Sequence, residues 1–447
     1  MRALTVRAVL FAGLGDFFPL YAIYALLFAD HGLNAGQISS LFALWSATAF
    51  LLEVPSGAWA DTVSRRGLLV LSGVLLTTGF TLWTVLPSYL GFAAGFVVWG
   101  VSGALRSGTF EALLYDELSL RGEPSAFPRI LGYTRAGTEI AVLIAILAAT
   151  PLYLLGGYPL IGWVSVAMAA AHTCVALSLP GAPKAVSAGD VEELEEDPTS
   201  ASVAPAAGSP AKAITTAPQR TAPTPSDGPI TRYLAMLRSG LAEATRIKSV
   251  RNGVVLGALL YGITAFDEYF ALVAGEAGVA TAVVPVLVAI TVVGSLIGSV
   301  TAGRTETMRA RTMGIAVAVA GALFIAGAVV VGLAARWPAA LYVLAGSGFV
   351  ALGVSYGVIY NASVVAAARL QDAIEGPARA TVTSVSGLLS EVVSLAAFGF
   401  VALVTVWLSM SATVALLGLG VLAIAAVTPA WLPRRPAPSS SSTGHGR

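Results

Sequence analysis

The chain has 447 residues, 56% hydrophobic and 11% charged, with a mean hydropathy of +0.82; a soluble domain carries roughly a quarter charged residues, so most of this chain is built for lipid. Twenty-five basic residues against 24 acidic ones leave a net charge of +1, which gives a nucleic acid nothing to bind. The single cysteine, Cys174, excludes an intramolecular disulfide, and His31, His172 and His445 are too scattered to form a metal cluster, so neither metalloenzyme chemistry nor a cofactor is expected.

A spanning helix needs about 20 largely apolar residues to cross a core of about 30 Å, and the charges here fall in short islands between runs of that length. The first run follows Arg2 and Arg7 as a secretory signal would, but it extends to Ala29, contains Asp16 and has no small-residue cleavage site, so it reads as the first span. Apolar runs bounded by Gly, Pro and charge place six spans at 8–29, 36–58, 67–86, 91–115, 130–152 and 158–179. The stretch 184–229 is rich in Ala, Pro, Ser and Thr, with an acidic knot from Glu192 to Asp197; it cannot bury enough apolar surface to fold and reads as a disordered linker. Ile230, Tyr233, Leu234, Leu237 and Leu241 then recur at helical spacing beside Arg232, Arg238, Arg246 and Lys248, which predicts an amphipathic helix over 230–249 lying on the membrane. Six further spans follow at 250–273, 279–301, 312–334, 338–364, 380–402 and 406–429.

Basic residues in short loops stay on the cytoplasmic side. Arg2 and Arg7, Arg65 and Arg66, Arg121 and Arg129, the segment from Arg232 to Arg251, the group Arg304, Arg309 and Arg311, Arg369 and Arg379, and Arg434 and Arg435 all fall on one face, whereas the opposite loops show Arg336. Both termini are therefore expected in the cytoplasm of a multi-pass protein of the cell's inner (plasma) membrane. The stretch Ala29 to Gly32 is echoed by Gly275 to Gly278, 246 positions later, and the same offset carries Gly57 onto Gly303 and Arg65 onto Arg311. Parallel repeats of six helices follow from this. The expected fold is an all-α integral membrane protein of twelve transmembrane helices in two six-helix bundles, 1–183 and 250–432, joined by the linker and the amphipathic helix and ending in a disordered tail, 433–447. Such repeats place a substrate site near the bilayer midplane.

The loop after the second span reads Gly57-Ala-Trp-Ala-Asp61-Thr62-Val-Ser64-Arg65-Arg66-Gly67. Gly57 suits close helix contact, Asp61 a helix N-terminus, and Arg65 an acid on a neighbouring helix. The loop resembles the signature of the major facilitator superfamily, G-x-x-x-D-[RK]-x-G-[RK]-[RK], at Gly57, Asp61, Arg65 and Arg66, and departs from it where Thr62 replaces a basic residue and Ser64 a glycine. The resemblance covers both membrane halves. It implies a secondary transporter, not an enzyme, whose loop latches the cytoplasmic side with the motif arginine on an acid at the end of the fourth span, where Asp116 stands. The Gly-Pro motif of drug/proton antiporters is absent: Gly132 and Gly137 are followed by no proline.

Ionisable groups inside spans cost about 2.5–3.5 kcal/mol each by insertion scales and so invite functional readings. They are Asp16, Glu53, Arg106, Glu111, Arg135, Glu139, Asp267, Glu268 and Glu391. Glu53, Glu111 and Arg135 lie toward helix ends, where they can be hydrated, and Arg135 and Glu139, spaced i, i+4, form either an ion pair or a coupling site. Arg106 is expected to meet an acid from another helix, such as Asp16, which sits in a Gly13–Pro19 run that perturbs its helix. Asp16, Arg106, Glu139, Asp267, Glu268 and Glu391 are the candidates for the substrate and proton pathway; Gly57, Asp61, Arg65, Arg66 and Asp116 are those for the gate. By resemblance, spans one, four, seven and ten line the cavity, whose acids suit a cationic solute, protons, or both. Phe17, Phe18, Tyr21, Tyr24, Phe266, Tyr269 and Phe270 either stack on an organic cation or pack the helices. The expected function is proton-coupled efflux of a lipophilic or cationic small molecule by a monomer. Uptake of a small polar solute is the first alternative. A membrane receptor is the second, disfavoured because the linker and tail contain no folded output domain. An ATP-driven pump is disfavoured because no P-loop is present.

Overall fold

The computed structural model describes residues 1–181, 247–374 and 379–433, with the side chains of 53–55, 57, 58, 60–62 and 379–381 left out. The predicted linker 184–229, most of the predicted amphipathic helix 230–249 and the tail beyond 433 lie outside the described residues. Those described form helices and turns, with no strand among them. Contacts divide them into two compact units, one built chiefly from the first set of spans and one from the second.

In the first unit the chain runs through α1 (Arg2–Leu14), a 3-10 turn at Pro19–Ala22, α2 (Tyr24–Asp30), α3 (Ala35–Thr62), α4 (Arg65–Val85), α5 (Tyr89–Arg106), α6 (Thr109–Leu120) and α7 (Phe127–Ser178). Asn34 caps α3 through a reciprocal bond with Gln37, and Ser88 caps α5 by accepting the Gly91 N–H, so polar residues outside the apolar runs set these starts. Helix α7 carries the predicted fifth and sixth spans as one 52-residue element, broken at Gly156 and Gly157, the latter at φ 61°. Each limb exceeds the roughly 20 residues a crossing requires. Eleven stretches of the described residues are long and apolar enough to cross a membrane, and one of them is this 55-residue stretch from Pro124 to Ser178.

The second unit contains α8 (Lys248–Gly262), a 3-10 segment at Ile263–Tyr269, α9 (Phe270–Glu276), α10 (Val284–Thr305) from Ile290 on, α11 (Ala310–Ala334), α12 (Leu341–Ala373), α13 (Arg379–Val404) as far as Ala397, and α14 (Met410–Trp431). Lipid tails are as apolar as the side chains, so these bundles cohere by close packing at small residues more than by escape from water. Aromatic rings fill the first unit: Tyr24, Phe28, Phe42, Phe80, Trp83 and Phe96 interlock, and Trp83 donates to the Phe92 carbonyl at 3.0 Å. Phe18, Phe266, Tyr269 and Phe270 are buried in helix packing, which is the structural one of the two roles considered for them.

Candidate functional site

The first span breaks where the sequence carries Gly15, Asp16 and Pro19. Proline lacks the N–H that would continue the helix and disfavours helical geometry just before it, so α1 stops at Leu14 and the chain re-enters a helix at Tyr24. Asp16 thereby leaves the helix and meets the Arg106 guanidinium, with Asp16 Oδ2 3.5 Å from Arg106 Nη1; the same nitrogen donates to the Gly15 carbonyl at 3.2 Å. The side chains are 25% and 34% exposed, so the pair is only partly buried.

Arg106 is the last residue of α5. Within the span predicted at 91–115, which the structure carries over Tyr89–Leu120, Ser107 and Gly108, the latter at φ 66°, interrupt the helix before α6 begins at Thr109. The break puts Arg106 at a helix C-terminus and Glu111 in the first turn of the next helix, the ends at which a cation and an anion are each favoured by the backbone dipoles. Glu139, exposed with Arg135 on one face of α7, lies within electrostatic reach of Asp16.

Two further residues complete this cluster: Gly15, beside Asp16, and His172, the second of which sequence reasoning passed over as a site residue. A Cβ on Gly15 would stand 2.6 Å from Arg106 Nη1 and 3.1 Å from His172 Cε1, so only glycine lets both side chains approach this turn. His172 is fully buried, stacks near Phe11 at 4.3 Å and places Nδ1 2.9 Å from the Phe11 carbonyl. The Gly-x-Gly run before Asp16 signals the first; a lone histidine in an apolar run gives little signal for the second.

At the basic end of the first unit, α4 starts at Arg65 because Ser64 caps it, accepting the Gly67 N–H at 3.3 Å; this gives Ser64 a role at the position where the family motif has glycine. Arg65 pairs with Asp116 on α6, the two side chains only 3% and 1% exposed. Arg66 donates to the Leu177 carbonyl near the end of α7. Gly57 and Asp61, expected in the loop after the second span, stand in the last turns of α3, and the Asp61 side chain lies outside those described.

The seventh span breaks as the first does, and Asp267 and Glu268 stand in its 3-10 segment. Tyr356 of α12 donates to Asp267 Oδ2 at 2.8 Å, and its ring packs edge-on against Phe266 and Phe270 and lies 6.1 Å from Tyr360. Among the described residues, Asp267 is thus met by a hydroxyl, whereas Asp16 is met by a guanidinium. Glu391 sits on α13 beside Ser390, whose carbonyl closes on Gly262 at the end of α8; Tyr261 lies within electrostatic reach of both Glu391 and Asp267. The six pathway candidates therefore form two clusters, Asp16, Arg106 and Glu139 in one unit and Asp267, Glu268 and Glu391 in the other.

At the far end each broken span is tied to the last span of its own unit. Tyr158, at the start of the second limb of α7, donates to Asp30 Oδ2 at 2.6 Å. Glu276 accepts the backbone N–H groups of Met410 and Ser411 at 2.9 Å each, and the Ser411 hydroxyl at 3.1 Å, at the start of α14. Asp30 and Glu276 are 246 positions apart, and each is followed two residues later by a glycine in the left-handed region, Gly32 at φ 86° and Gly278 at φ 87°. The sequence echo between 29–32 and 275–278 is thus an echo of conformation.

The sequence profile of the Major Facilitator Superfamily matches residues 7–397. No curated protein sequence matches the chain. Among solved structures, the chain is similar to the nucleoside transporter NupG (TM-score 0.68, 10% identity, 96% of this chain and 99% of that one) and to the POT family transporter PepTSo (0.64, 11%, 96% and 97%). It is also similar to a D-xylose-proton symporter (0.61, 14%, 96% and 97%). At these identities the likeness is one of fold.

Proposed function

The chain belongs to the major facilitator superfamily and is a multi-pass secondary transporter, and from that premise we propose that it exports lipophilic, cationic small molecules in exchange for protons. Two six-helix bundles, twelve spans in all, work by alternating access, with both termini in the cytoplasm and a monomer as the working unit in the cell's inner membrane.

The observation that carries this reading is the partnering of the acids at the two breaks. Asp16 is an intramembrane acid paired with Arg106 at the break of the first span, and it is assigned to the proton pathway. Among the described residues, Asp267 is approached by the Tyr356 hydroxyl and not by a cation of the protein, which leaves an intramembrane carboxylate to pair with an organic cation. Glu268 and Glu391 add negative character there. Glu139 is in electrostatic reach of Asp16 and serves as a second stop for the proton. Arg65 and Asp116, with Gly57, Asp61 and Arg66, form the latch that biases which side is open.

The test is energy-dependent efflux of a fluorescent lipophilic cation from cells expressing wild type, Asp16→Asn or Asp267→Asn at matched membrane levels. Wild-type efflux should stop when a protonophore is added. Asp16→Asn should remove the proton dependence, and Asp267→Asn should weaken recognition of the dye. A wild type that moves no dye under any condition overturns the reading.

A second reading is proton-coupled uptake of a small polar solute. It is supported by the folds that this chain resembles, those of a nucleoside transporter, a D-xylose-proton symporter and a POT family transporter. Proteoliposomes that accumulate a labelled polar solute under an inward proton gradient would favour it over export.

A further inference from the structure

Away from both acid clusters, the second unit carries a cavity of about 450 Å³ between α10, α12 and the start of α11. Its floor is a helix contact so close that a Cβ on Gly294 or Gly298 would fall 2.0 Å from the carbonyl oxygen of Gly353 or Gly357. Its walls are Val293, Ile297, Val350 and Val354, which turn outward, Ile297 being 58% exposed and Val354 51%. In a chain that crosses the membrane, an apolar trough with exposed aliphatic walls faces hydrocarbon.

The trough is graded in polarity along its length. From Ile290 to Ile297 it is wholly apolar on the α10 side; then come Thr301, Thr305 and Asn361, with Thr305 donating to Asn361 Oδ1 at 2.8 Å and Asn361 donating to the Gly298 carbonyl at 2.9 Å. Beyond them stand three exposed arginines, Arg304, Arg309 and Arg311, against one acid in the same loop, Glu306. Helical spacing puts Arg304 in line with the trough, seven residues on from the lining residue Ile297, and Arg309, the extended residue that starts α11, follows directly on the lining residue Met308. Arg369 fixes the mouth by donating through Nε and Nη2 to the Glu306 carbonyl, at 3.2 and 2.6 Å, and also to the Met308 carbonyl. From Ile290 to Thr305 the helix rises about 22 Å, more than the ~15 Å half-thickness of a hydrocarbon core, so one acyl chain can lie along it from the interface to the midplane.

We propose that this trough binds one anionic phospholipid of the leaflet on the arginine side. An acyl chain lies over Gly294, Gly298, Gly353 and Gly357, the ester region lies beside Thr301, Thr305 and Asn361, and the phosphate lies at Arg304 and Arg309. Charge complementarity selects the headgroup, because neighbouring cations favour an anionic lipid while the apolar trough accepts any chain. The site owes nothing to the transport reading and stands or falls by itself.

The experiment uses the full chain purified in detergent and offered phosphatidylglycerol or phosphatidylcholine with identical acyl chains. Lipid retention is read by native mass spectrometry and stability by thermal unfolding. Wild type should retain one phosphatidylglycerol, gain a Tm increase with that lipid, and show neither effect with phosphatidylcholine. Val354→Trp, which fills the trough from an exposed wall, should lose the bound lipid; Arg304→Gln combined with Arg309→Gln should lose the headgroup preference while still folding, since both positions are exposed. Equal retention of the two lipids by wild type, or unchanged phosphatidylglycerol retention in both variants, overturns the proposal. So does a trough that takes a lipophilic cation in place of lipid and loses it in Val354→Trp, which would make it a lateral portal for solute.

Discussion

The first and seventh spans share a backbone plan: a helix, a break with a 3-10 turn, and a short second helix that ends at an acid followed two residues later by a left-handed glycine. Their chemistry differs at every polar contact. Asp16 faces Arg106 where Asp267 faces Tyr356, and Asp30 holds one phenol where Glu276 holds two backbone amides and a hydroxyl. A repeat can thus fix the conformation of a broken span through glycine, proline and helix ends while the side chains at the break take different work. Arg65 and Arg311, also 246 positions apart, show the same divergence: the first is buried on Asp116 and the second is exposed.

The comparison breaks most sharply at that last pair. Arg65→Ala strands the buried Asp116 and should destabilise the protein by about 3–5 kcal/mol, whereas Arg311→Ala should change stability by no more than about 0.5 kcal/mol. Thermal unfolding of the two variants in the same detergent decides it, and equal losses would mean that burial does not distinguish the halves. Next in size is a pair of glycine substitutions. Gly262→Ala drives a Cβ to within 2.5 Å of the Ser390 carbonyl oxygen, a backbone atom that cannot step aside, and should cost about 1–3 kcal/mol. Gly15→Ala meets the movable end of Arg106 and should leave stability nearly intact while lowering transport; a large loss of stability there would show that the Asp16 turn is as rigid as the seventh-span break.

The far-end ties should differ by less. Glu276→Ala removes the carboxylate that meets the first amides of α14 and should cost about 1–2 kcal/mol, against about 0.5–1.5 kcal/mol for Tyr158→Phe, which deletes one hydrogen bond. Among the hydrogen-bond deletions the smallest expected effect is that of Tyr356→Phe, about 1 kcal/mol or less in stability. Its informative readout is kinetic: KM for a cationic substrate should move while protonophore sensitivity stays as in wild type. A change in protonophore sensitivity would place Asp267 on the proton path and erase the division of labour between the breaks.

The spans were legible because lipid imposes a single requirement on roughly 20 residues at a time, and the break at Asp16 because Gly13, Gly15 and Pro19 announce it. The partnership of Arg106 with Asp16 was suggested by the cost of leaving either charge alone in lipid. The interruption at Ser107–Gly108 was missed since apolar residues continue on both sides and one glycine is common inside a span. The predicted fifth and sixth spans are the two limbs of α7; the tightness of the turn between them was not legible, because Gly156 and Gly157 mark a turn but nothing in composition says that it needs no loop. His172 and the far-end ties depend on contacts more than 125 positions apart in sequence, which no local pattern encodes.

That loop-free elbow has a mechanical consequence. Two rods that meet at a corner with no cord between them have no slack, so a pull on one is delivered to the other within the same turn. Tyr158 stands one residue past the corner and is hooked to Asp30 at the tip of the broken first span. A tilt of that tip would load Tyr158 first and then, across the Gly156–Gly157 corner, the limb that carries Glu139, so the broken first span and the helix bearing the acidic neighbour of Asp16 are tied at their far ends by one hydrogen bond.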